Sequence, residues 1–466
     1  MSTLLRNYIE NRKIVLKGLR VDESFDIVER RLVVGGSDAT FIFIDGFVKD
    51  GELQRVMQTL LALKEPTSAG EILHSLPYGE VDVTSDTEDI FKAVLSGQTV
   101  MLCESFGACA ILIDARTYPS RTTGEPETDK VINGARDGFV ETLVMNTALI
   151  RRRIRDPFLT MEHFEISGAS KSDVVLCYMK GRADERMLDR LRKKLDSIRA
   201  DTLTLGVQGL CELLVGGRWL NPFPKMRTTE RPDTAAAQIA EGSVVLLLDT
   251  CPQAMILPTS LFDFFGQTDD FCFPPLTGTY LRLVRIASLI LSVCFTPLWY
   301  LAVGWEGLPE WLAFLVPKDM GALPLILQLF LVELAVDGLK IASMNTPDVL
   351  SNSLSVIGAL ILGDFAVGVG WLCQDVILYM AFVSIAGFAQ QNAELGYAFK
   401  FIRMLSLLLV FGFGVWGLIP SAVITVFLLA TNRTVTGQRH YLYPLIPFKP
   451  RALLRMLLRL PKREGD

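Results

Sequence analysis

Apolar and polar residues alternate in short stretches over the first 260 residues of the chain, and this pattern predicts an α/β region. The segment 1–36 is charged and weakly periodic, so it predicts an N-terminal helical or irregular segment. A first α/β subdomain is expected at 37–120. Its predicted elements are strands at 38–45, 98–103 and 109–115 and helices at 50–65 and 86–95.

A second α/β subdomain is expected at 121–260, where the polar run PSRTTGEPETDK separates it from the first. Its predicted elements are helices at 138–156 and 183–200 and strands at 159–167, 173–181, 243–250 and 254–258. Strand, strand and helix recur, but no repeat with a period of about 20–50 residues is visible. The fold class predicted for this part of the chain is therefore an α/β region of two small subdomains.

Long apolar segments replace this pattern from Leu281 onward and predict an α-helical transmembrane domain at 281–431. The run LRLVRIASLILSVCFTPLWYLAVGW is longer than the roughly 20 residues that a spanning helix needs, and its charges lie only in its first turns. Further apolar segments lie at 321–343, 353–373, 375–390 and 401–430. The count is about four to six membrane segments, the last of which is interrupted by glycines and Pro420.

A short basic tail at 432–466 carries eight Lys or Arg against two acids, which predicts a cytosolic tail lying on anionic membrane lipids. The opening residues lack the apolar stretch of a signal peptide, so the N-terminal region is expected to be cytosolic as well. Two cytosolic ends require an even number of crossings. Five apolar segments fit only if one is re-entrant or interfacial, with 321–343 favoured, or if the Gly-rich last segment is a broken pair.

Ionisable residues inside the apolar segments are the candidate functional residues. Glu333, Asp337 and Lys340 are spaced to lie on one helix face, and each charge at membrane depth costs at least about 2.5 kcal/mol unless it meets a partner or water. Lys340 could neutralise Asp337 within the helix, the helix could lie at the interface, or the face could line an ion path. Asp364, a lone carboxylate between glycines, is a further ion-path candidate. Lys400 and Arg403 precede a span and are interpreted as interface anchors.

Other chemistries find little support in the composition. A net charge of −5 provides no basic field for nucleic acid. Eight scattered cysteines and three dispersed histidines predict neither a metal site nor a disulfide framework, and no cofactor is expected. No catalytic motif occurs, and the GxGxxG match at 412–417 falls in a membrane segment, where it indicates close helix packing. The chain is not expected to be an enzyme.

Charge-dense stretches in the α/β region are interpreted either as solvated helix faces or as docking surfaces for another subunit or for lipid head groups. They are ALIRRRIRDP and TTERPDTAAAQIAEG. The residues predicted as assembly candidates are Arg136, Arg151, Arg152, Arg153, Glu230 and Arg231.

Three motifs carry a resemblance to a known family: GARDGFVETLVMNTALIRRRIRDP, NPFPKMRTTERPDTAAAQIAEGSVVLLLDTCPQAMILP and TGTYLRLVRIASL. They resemble the A-subunit family of bacterial spore germinant receptors, the GerA type, and the likeness covers the chain from about Ser37 to the tail. FTPLWYL and YLYPLIPFKPRAL are more similar to the stage V sporulation protein AF branch. PKDMGALP replaces the Pro-Phe-Pro loop typical of nutrient-receptor subunits.

The resemblance implies an integral protein of the spore inner membrane that forms a homo-oligomer, a ring with a central path for monovalent cations. It implies other germination membrane proteins as partners and a role in amplifying the germination signal. The acidic-x-x-x-acidic-x-x-basic pattern of the family falls on Glu333, Asp337 and Lys340. The alternative function is a scaffold that passes no ions and recruits or couples other receptor subunits.

Overall fold

The computed structural model describes residues 3–459 apart from 66, 77, 119–133, 167, 204, 217–219, 268, 347–355, 357, 359, 362–364, 391 and 438–440. The chain forms two units. Unit 1 comprises Met1–Gly217, Met226–Thr259 and Thr434–Gln438, and unit 2 comprises Arg218–Lys225, Ser260–Arg433 and Arg439–Asp466.

Unit 1 contains two sheets and the helices that cover them. In chain order its elements are α1 (Tyr8–Leu19), β1 (Ile27–Val34), β2 (Ser37–Ile44), α2 (Asp50–Leu61), α3 (Ala69–Ser75), β3 (Val81–Thr84), α4 (Thr87–Leu95), β4 (Thr99–Cys103), β5 (Ala110–Ile113), α5 (Leu143–Arg153), β6 (Leu159–Ile166), β7 (Ser172–Met179), α6 (Glu185–Ser197), α7 (Gly206–Val215), β8 (Arg227–Thr229), α8 (Pro232–Ala240), β9 (Val244–Leu248) and β10 (Ala254–Leu257). Short 3-10 helices lie at Val21–Glu23 and Glu104–Phe106.

Each sheet has five antiparallel strands between two layers of helices. The strand orders are β1-β2-β4-β5-β3 and β6-β7-β9-β10-β8. Side chains of β9 alternate between two cores, since Leu246 packs on the α6–α7 side and Leu247 on the α5–α8 side. All five residues of β9 are therefore buried, which explains its continuous apolar run VVLLL. The predicted α/β region followed by a helical part is confirmed.

Three strands, β1, β3 and β8, are not predicted from the sequence, and all three lie at sheet edges. β1 contains the charged run Glu29–Arg31, and β3 is only four residues long and has no buried position. An edge strand is buried against fewer neighbours and tolerates charge, so its apolar alternation is weak. The segment 1–36 thus contains α1 and all of β1, one of the two edge strands of the first sheet.

The two sheets and their helices are built in the same order, α-β-β-α-α-β-α-β-β, with the same spatial strand order. Buried Asn11 in α1 and Asn146 in α5 each exchange two hydrogen bonds of 2.6–2.8 Å with the backbone six residues earlier. Gly97 and Gly242 follow α4 and α8 with φ angles of 98° and 99°. The subdomains therefore form a structural repeat, with a period of 135 residues between the two asparagines and 145 residues between the two glycines.

Unit 2 is helical in the part that the structure describes. Its helices are α9 (Asp269–Cys272), α10 (Pro275–Val303), α11 (Leu325–Met344), α12 (Ala366–Gly368), α13 (Gln374–Phe388), α14 (Ala393–Phe413), α15 (Leu418–Thr431) and α16 (Pro450–Leu457). Its 3-10 helices are Leu261–Phe264, Glu310–Leu315 and Gly414–Gly417. Two helical stretches among the described residues, Pro275–Val303 and Ala393–Thr431, are long and apolar enough to cross a membrane.

The second stretch is a hairpin, because the chain reverses at Gly414–Gly417. The Ser406 and Ser421 hydroxyls form a hydrogen bond with each other. In a straight helix these two serines would lie about 22 Å apart. Gly414 has a φ of 58°, and a Cβ added at Gly417 would lie 2.2 Å from the Leu409 carbonyl oxygen. The glycines therefore permit a tight reversal and close contact between α14 and α15, the broken pair that the sequence left open.

Candidate functional site

The charged residues of α11 meet two basic residues of α14 in the interior of unit 2. Glu333 and Asp337 are one turn apart on α11, and Lys400 and Arg403 are one turn apart on α14. Lys400 contacts both acids, whereas Arg403 contacts Glu333, so the helices run antiparallel along this seam. We call these four residues the charged network.

Arg403 and Glu333 form the buried half of the charged network. Both oxygens of the Glu333 carboxylate accept from Nη2 of Arg403 at 2.7 Å, and both residues are buried. Nη1 of Arg403 donates to the Ser292 carbonyl oxygen of α10 at 2.7 Å. This arginine therefore connects α10, α11 and α14 through charge-assisted hydrogen bonds, the stronger class of hydrogen bond in proteins.

Lys400 forms the other half of the network. Its Nζ lies 2.7 Å from Oε1 of Glu333 and also donates to Oδ2 of Asp337. The intrahelical pair between Lys340 and Asp337 is not formed. The Lys340 ammonium instead lies over the rings of Tyr397 and Phe388, 4.8 and 5.4 Å from their centroids. Aromatic faces attract a cation, so these rings stabilise the Lys340 charge without a carboxylate.

The two carboxylates differ in access to the surface of the chain. The Glu333 side chain is 10% exposed and the Asp337 side chain 30% exposed. Two acids and two bases make the network neutral overall, which lowers the cost of placing charge in an apolar bundle. Asp337 is therefore the carboxylate of the network that can also meet water, an ion or a neighbouring subunit.

The sequence reasoning missed three residues of this region. Lys400 and Arg403 were interpreted as interface anchors, although two basic residues three apart in an apolar helix also indicate a matching acidic pair elsewhere. Gln328 lies off the acidic stripe and is fully buried. Its Nε2 donates to the carbonyl oxygens of Met320 and Leu323 at 2.6 and 2.7 Å, and its Oε1 accepts from the Cys373 N–H at 2.9 Å. Gln328 therefore ties α11 to the loop before it and to α13.

Asp364, the remaining ion-path candidate, lies outside the described residues. Within the described part of the chain there is no cluster of three or more His, Cys, Asp or Glu residues able to hold a metal.

Arg151, one of the assembly candidates, is fully buried in unit 1. Its guanidinium donates to both carboxylate oxygens of Asp26 at 2.7 and 3.0 Å and to the Ser24 hydroxyl at 3.1 Å. It also donates to the carbonyl oxygens of Asp156 and Leu159 at 3.2 and 3.0 Å. Asp26 and Ser24 precede β1 of the first subdomain, whereas Arg151 belongs to α5 of the second. Arg151 therefore holds the two subdomains together.

The other assembly candidates range from buried to exposed. Arg231 is 1% exposed and donates to Asp233 at 2.6 and 3.1 Å. Arg153 is half-buried and pairs with Asp137 at 2.6 Å. Exposed Arg152 lies 4.6 Å from the Tyr118 ring centroid, Glu230 is half-buried, and Arg136 is exposed. Arg136 and Arg152 are the two of the six with exposed side chains.

Unit 1 also has an open groove of about 910 Å³ with both acidic and basic lining residues. The charged ones are Asp82, Glu88, Asp89, Lys92, Arg116 and Arg155. Arg116 pairs with Asp114 at 2.7 Å. The groove does not bring a nucleophile and a base together in a pattern that indicates a reaction.

Two apolar helical stretches and a neutralised charged network inside the helical unit define a membrane-type protein with an α/β N-terminal region. The chain belongs to the family of Bacillus/Clostridium GerA spore germination proteins, which matches residues 16–465. The family prediction is thereby confirmed.

Named relatives agree with this assignment. Stage V sporulation protein AF of Bacillus subtilis (strain 168) is 34% identical over 98% of this chain and 93% of its own length. Spore germination protein KA of the same organism is 25% identical over 98% of this chain and 85% of its own length. The crystal structure of the N-terminal domain of the A subunit of the Bacillus megaterium spore germinant receptor GerK3 aligns at 23% identity with a TM-score of 0.40. That alignment covers 55% of this chain and 96% of that chain.

Proposed function

We propose that this chain is a membrane subunit of a spore germination complex that forms or supports a path for monovalent cations and amplifies the germination signal. The observation that carries the proposal is the charged network, in which Asp337 shares Lys400 with Glu333 and is the more exposed carboxylate. Rings of carboxylates select cations in channels by attracting them to a constriction. Repetition of Asp337 around a homo-oligomeric ring would supply such a constriction.

The roles of the two acids then differ. Glu333 accepts two hydrogen bonds from buried Arg403 and maintains the helix packing. Asp337 is bound through one oxygen to Lys400, which has Glu333 as a second partner. A cation approaching Asp337 can take the place of Lys400 without leaving that ammonium unpaired. We therefore assign the ion-facing role to Asp337 and the structural role to Glu333.

A non-conducting scaffold is the second candidate function, and the neutrality of the charged network favours it. If Asp337 and Glu333 serve only to neutralise Lys400 and Arg403, the network binds α11 to α14 and needs no ion. Such a chain would recruit or couple other germination membrane proteins through its surfaces, including exposed Arg136 and Arg152.

Signal transfer between the two units has a covalent basis in this proposal. The chain leaves α15 at Thr431 and enters unit 1 for the five residues Thr434–Gln438. Val435 is fully buried in the core that also contains α6 and α7, and its carbonyl oxygen accepts from Nζ of Lys194 at 2.8 Å. Residues 432–433 therefore connect the end of α15 covalently to a segment that is buried in the core of the second subdomain. We propose that the α/β N-terminal region lies on the cytosolic side of the spore inner membrane.

Flux through purified protein tests the proposal. Full-length protein is reconstituted in liposomes loaded with potassium, and efflux is compared for the wild type, Asp337→Asn and Asp319→Asn. Asp319 is the matched control, because it is an exposed carboxylate in the loop before α11 whose Oδ1 accepts from the Gly321 N–H, a bond that asparagine retains.

We expect Asp337→Asn to lower potassium efflux about tenfold, the factor that corresponds to about 1.4 kcal/mol of lost cation stabilisation, whereas Asp319→Asn should leave it unchanged. Wild-type efflux equal to that of protein-free liposomes would contradict the ion path and favour the non-conducting scaffold as the function. Equal efflux for the wild type and Asp337→Asn would remove Asp337 from the path.

A further inference from the structure

The beginning of α10 collects more positive charge than the nearby acids neutralise. Arg282 and Arg285 donate to the carboxylate of fully buried Asp270, and Arg282 Nη1 also donates to the Met456 carbonyl oxygen of α16 at 2.8 Å. Arg459, just beyond α16, donates through Nη2 to the Phe271 carbonyl oxygen at 3.0 Å. Asp270 supplies one negative charge here, and the three arginines supply three positive charges.

Arg459 has unused hydrogen-bonding capacity at this place. Its Nε and Nη1 are buried and have no hydrogen-bond partner within the described residues. Its backbone N–H donates to the Thr279 hydroxyl at 3.2 Å, which fixes the end of the tail helix against the first turns of α10. Nε and Nη1 lie on different edges of the guanidinium, so a phosphate group could accept from one of them, and it would also supply negative charge.

The length of α10 places this cluster at headgroup depth. Its 29 residues extend about 43 Å at about 1.5 Å per residue, whereas the hydrocarbon core of a bilayer is about 30 Å thick. With α10 along the membrane normal, about nine residues project out of the core, and the arginines in the first turns identify the end that projects. Thr279 and Arg282 then lie where lipid phosphates lie.

An exposed apolar surface adjoins the cluster in the tail. Every residue from Leu445 to Arg451 is exposed, with Ile446 at 62% and Phe448 at 65%, and Lys449 and Arg451 follow them directly. Exposed apolar side chains beside basic ones are typical of segments that lie in the interface of an anionic membrane, where the apolar groups enter and the basic groups meet phosphates.

We propose that the tail segment 445–459 and the first turns of α10 form a binding surface for anionic phospholipid, with Arg459 receiving the lipid phosphate. Ile446 and Phe448 enter the acyl boundary, and Lys449 and Arg451 face neighbouring headgroups. This inference needs α10 to cross the membrane but does not depend on the ion path. Phosphatidylglycerol is the probe, because it carries a single phosphodiester charge.

Native mass spectrometry of the full-length protein released from detergent tests the proposal. Phosphatidylglycerol and phosphatidylcholine are added in turn to the wild type, Arg459→Gln, Arg459→Lys, Phe448→Ser and Lys193→Gln. Lys193→Gln is the control for net charge, because Lys193 is exposed on α6. Phe448→Ser changes an exposed side chain, so it tests the surface even if Arg459→Gln lowers the yield of folded protein.

We expect wild-type protein to retain phosphatidylglycerol over phosphatidylcholine. Arg459→Gln should lower that preference about tenfold, which corresponds to about 1.4 kcal/mol. Arg459→Lys should retain part of the preference, and Lys193→Gln should retain all of it. Phe448→Ser should weaken the binding of both lipids. Equal retention of the two lipids by the wild type would overturn the proposal, as would an unchanged preference in both Arg459→Gln and Phe448→Ser. Displacement of phosphatidylglycerol by inorganic phosphate with no effect of Phe448→Ser would assign the site to free phosphate and overturn the lipid surface.

Discussion

Replacing Arg151 with methionine should separate the two subdomains of unit 1 without altering any exposed surface. The arginine makes five hydrogen bonds to groups of both subdomains, and its side chain is fully buried. Methionine fills much of the volume but leaves the Asp26 carboxylate, 2% exposed, without its cation. Breaking a buried ion pair by removing one partner costs about 3–5 kcal/mol.

Thermal unfolding of the full-length protein in detergent measures this loss. Every strand among the described residues belongs to unit 1, so the β-sheet band of the infrared spectrum reports that unit. For a unit of this size, 3–5 kcal/mol corresponds to a fall in the midpoint temperature of about 6–20 °C. Arg152→Met, the matched control next to it, changes an exposed arginine that lies over the Tyr118 ring and should cost about 0.5–1 kcal/mol.

A double variant distinguishes a lost ion pair from lost packing. Asp26→Leu together with Arg151→Met removes both charges, so most of the stability lost by Arg151→Met should return. A structural role for Arg151 would be refuted if Arg151→Met unfolds at the same temperature as Arg152→Met and the oligomeric mass of Arg151→Met falls. Arg151 would then act in assembly between chains.

Two further changes follow from the structure. Gly417→Ala places a methyl group against the Leu409 carbonyl oxygen and should destabilise the helical unit by about 1–3 kcal/mol. Gly412→Ala is the control, because a Cβ added at Gly412 has no atom within 4 Å and should cause no such loss. Equal thermal stability of the two variants would contradict the hairpin. The Arg12 guanidinium holds the pKa of Glu29 below its usual value of 4.5. This ion pair therefore stabilises unit 1 above about pH 4.5, and the stabilisation is lost as acidification protonates the carboxylate. Glu29→Gln should therefore lower the unfolding temperature at neutral pH and make no difference in acid; an equal deficit at both pH values would refute the linkage.

The sequence predicts the central strands, whereas three of the four edge strands leave no clear apolar alternation. β4 and β9 are buried on both faces and leave continuous apolar runs, whereas β1 lies at an edge and contains three consecutive charges. The repeat is not visible as a sequence pattern, because its matching features are one glycine pair, one asparagine pair and the order of elements.

The candidate site was only half visible in the sequence. Periodicity placed Glu333 and Asp337 on one face of α11, because helix geometry alone determines that relation. Their partners depend on how α14 packs against α11, and local pattern does not determine this packing. The sequence therefore predicts Lys400 as an interface anchor and offers Lys340, on the same helix, as a partner for Asp337. The reversal at Gly414–Gly417 remained one of several alternatives, since glycines in a membrane segment also permit simple close packing.

Cation release from germinating spores is the measurement that tests the proposed ion path most directly. Spores carrying Asp337→Asn, Asp319→Asn or the unchanged chain are compared, with protein abundance measured by immunoblot in the same preparations. The account predicts slower release of monovalent cations in Asp337→Asn spores at normal abundance, and unchanged release in Asp319→Asn spores. Normal release from Asp337→Asn spores at normal abundance would contradict it.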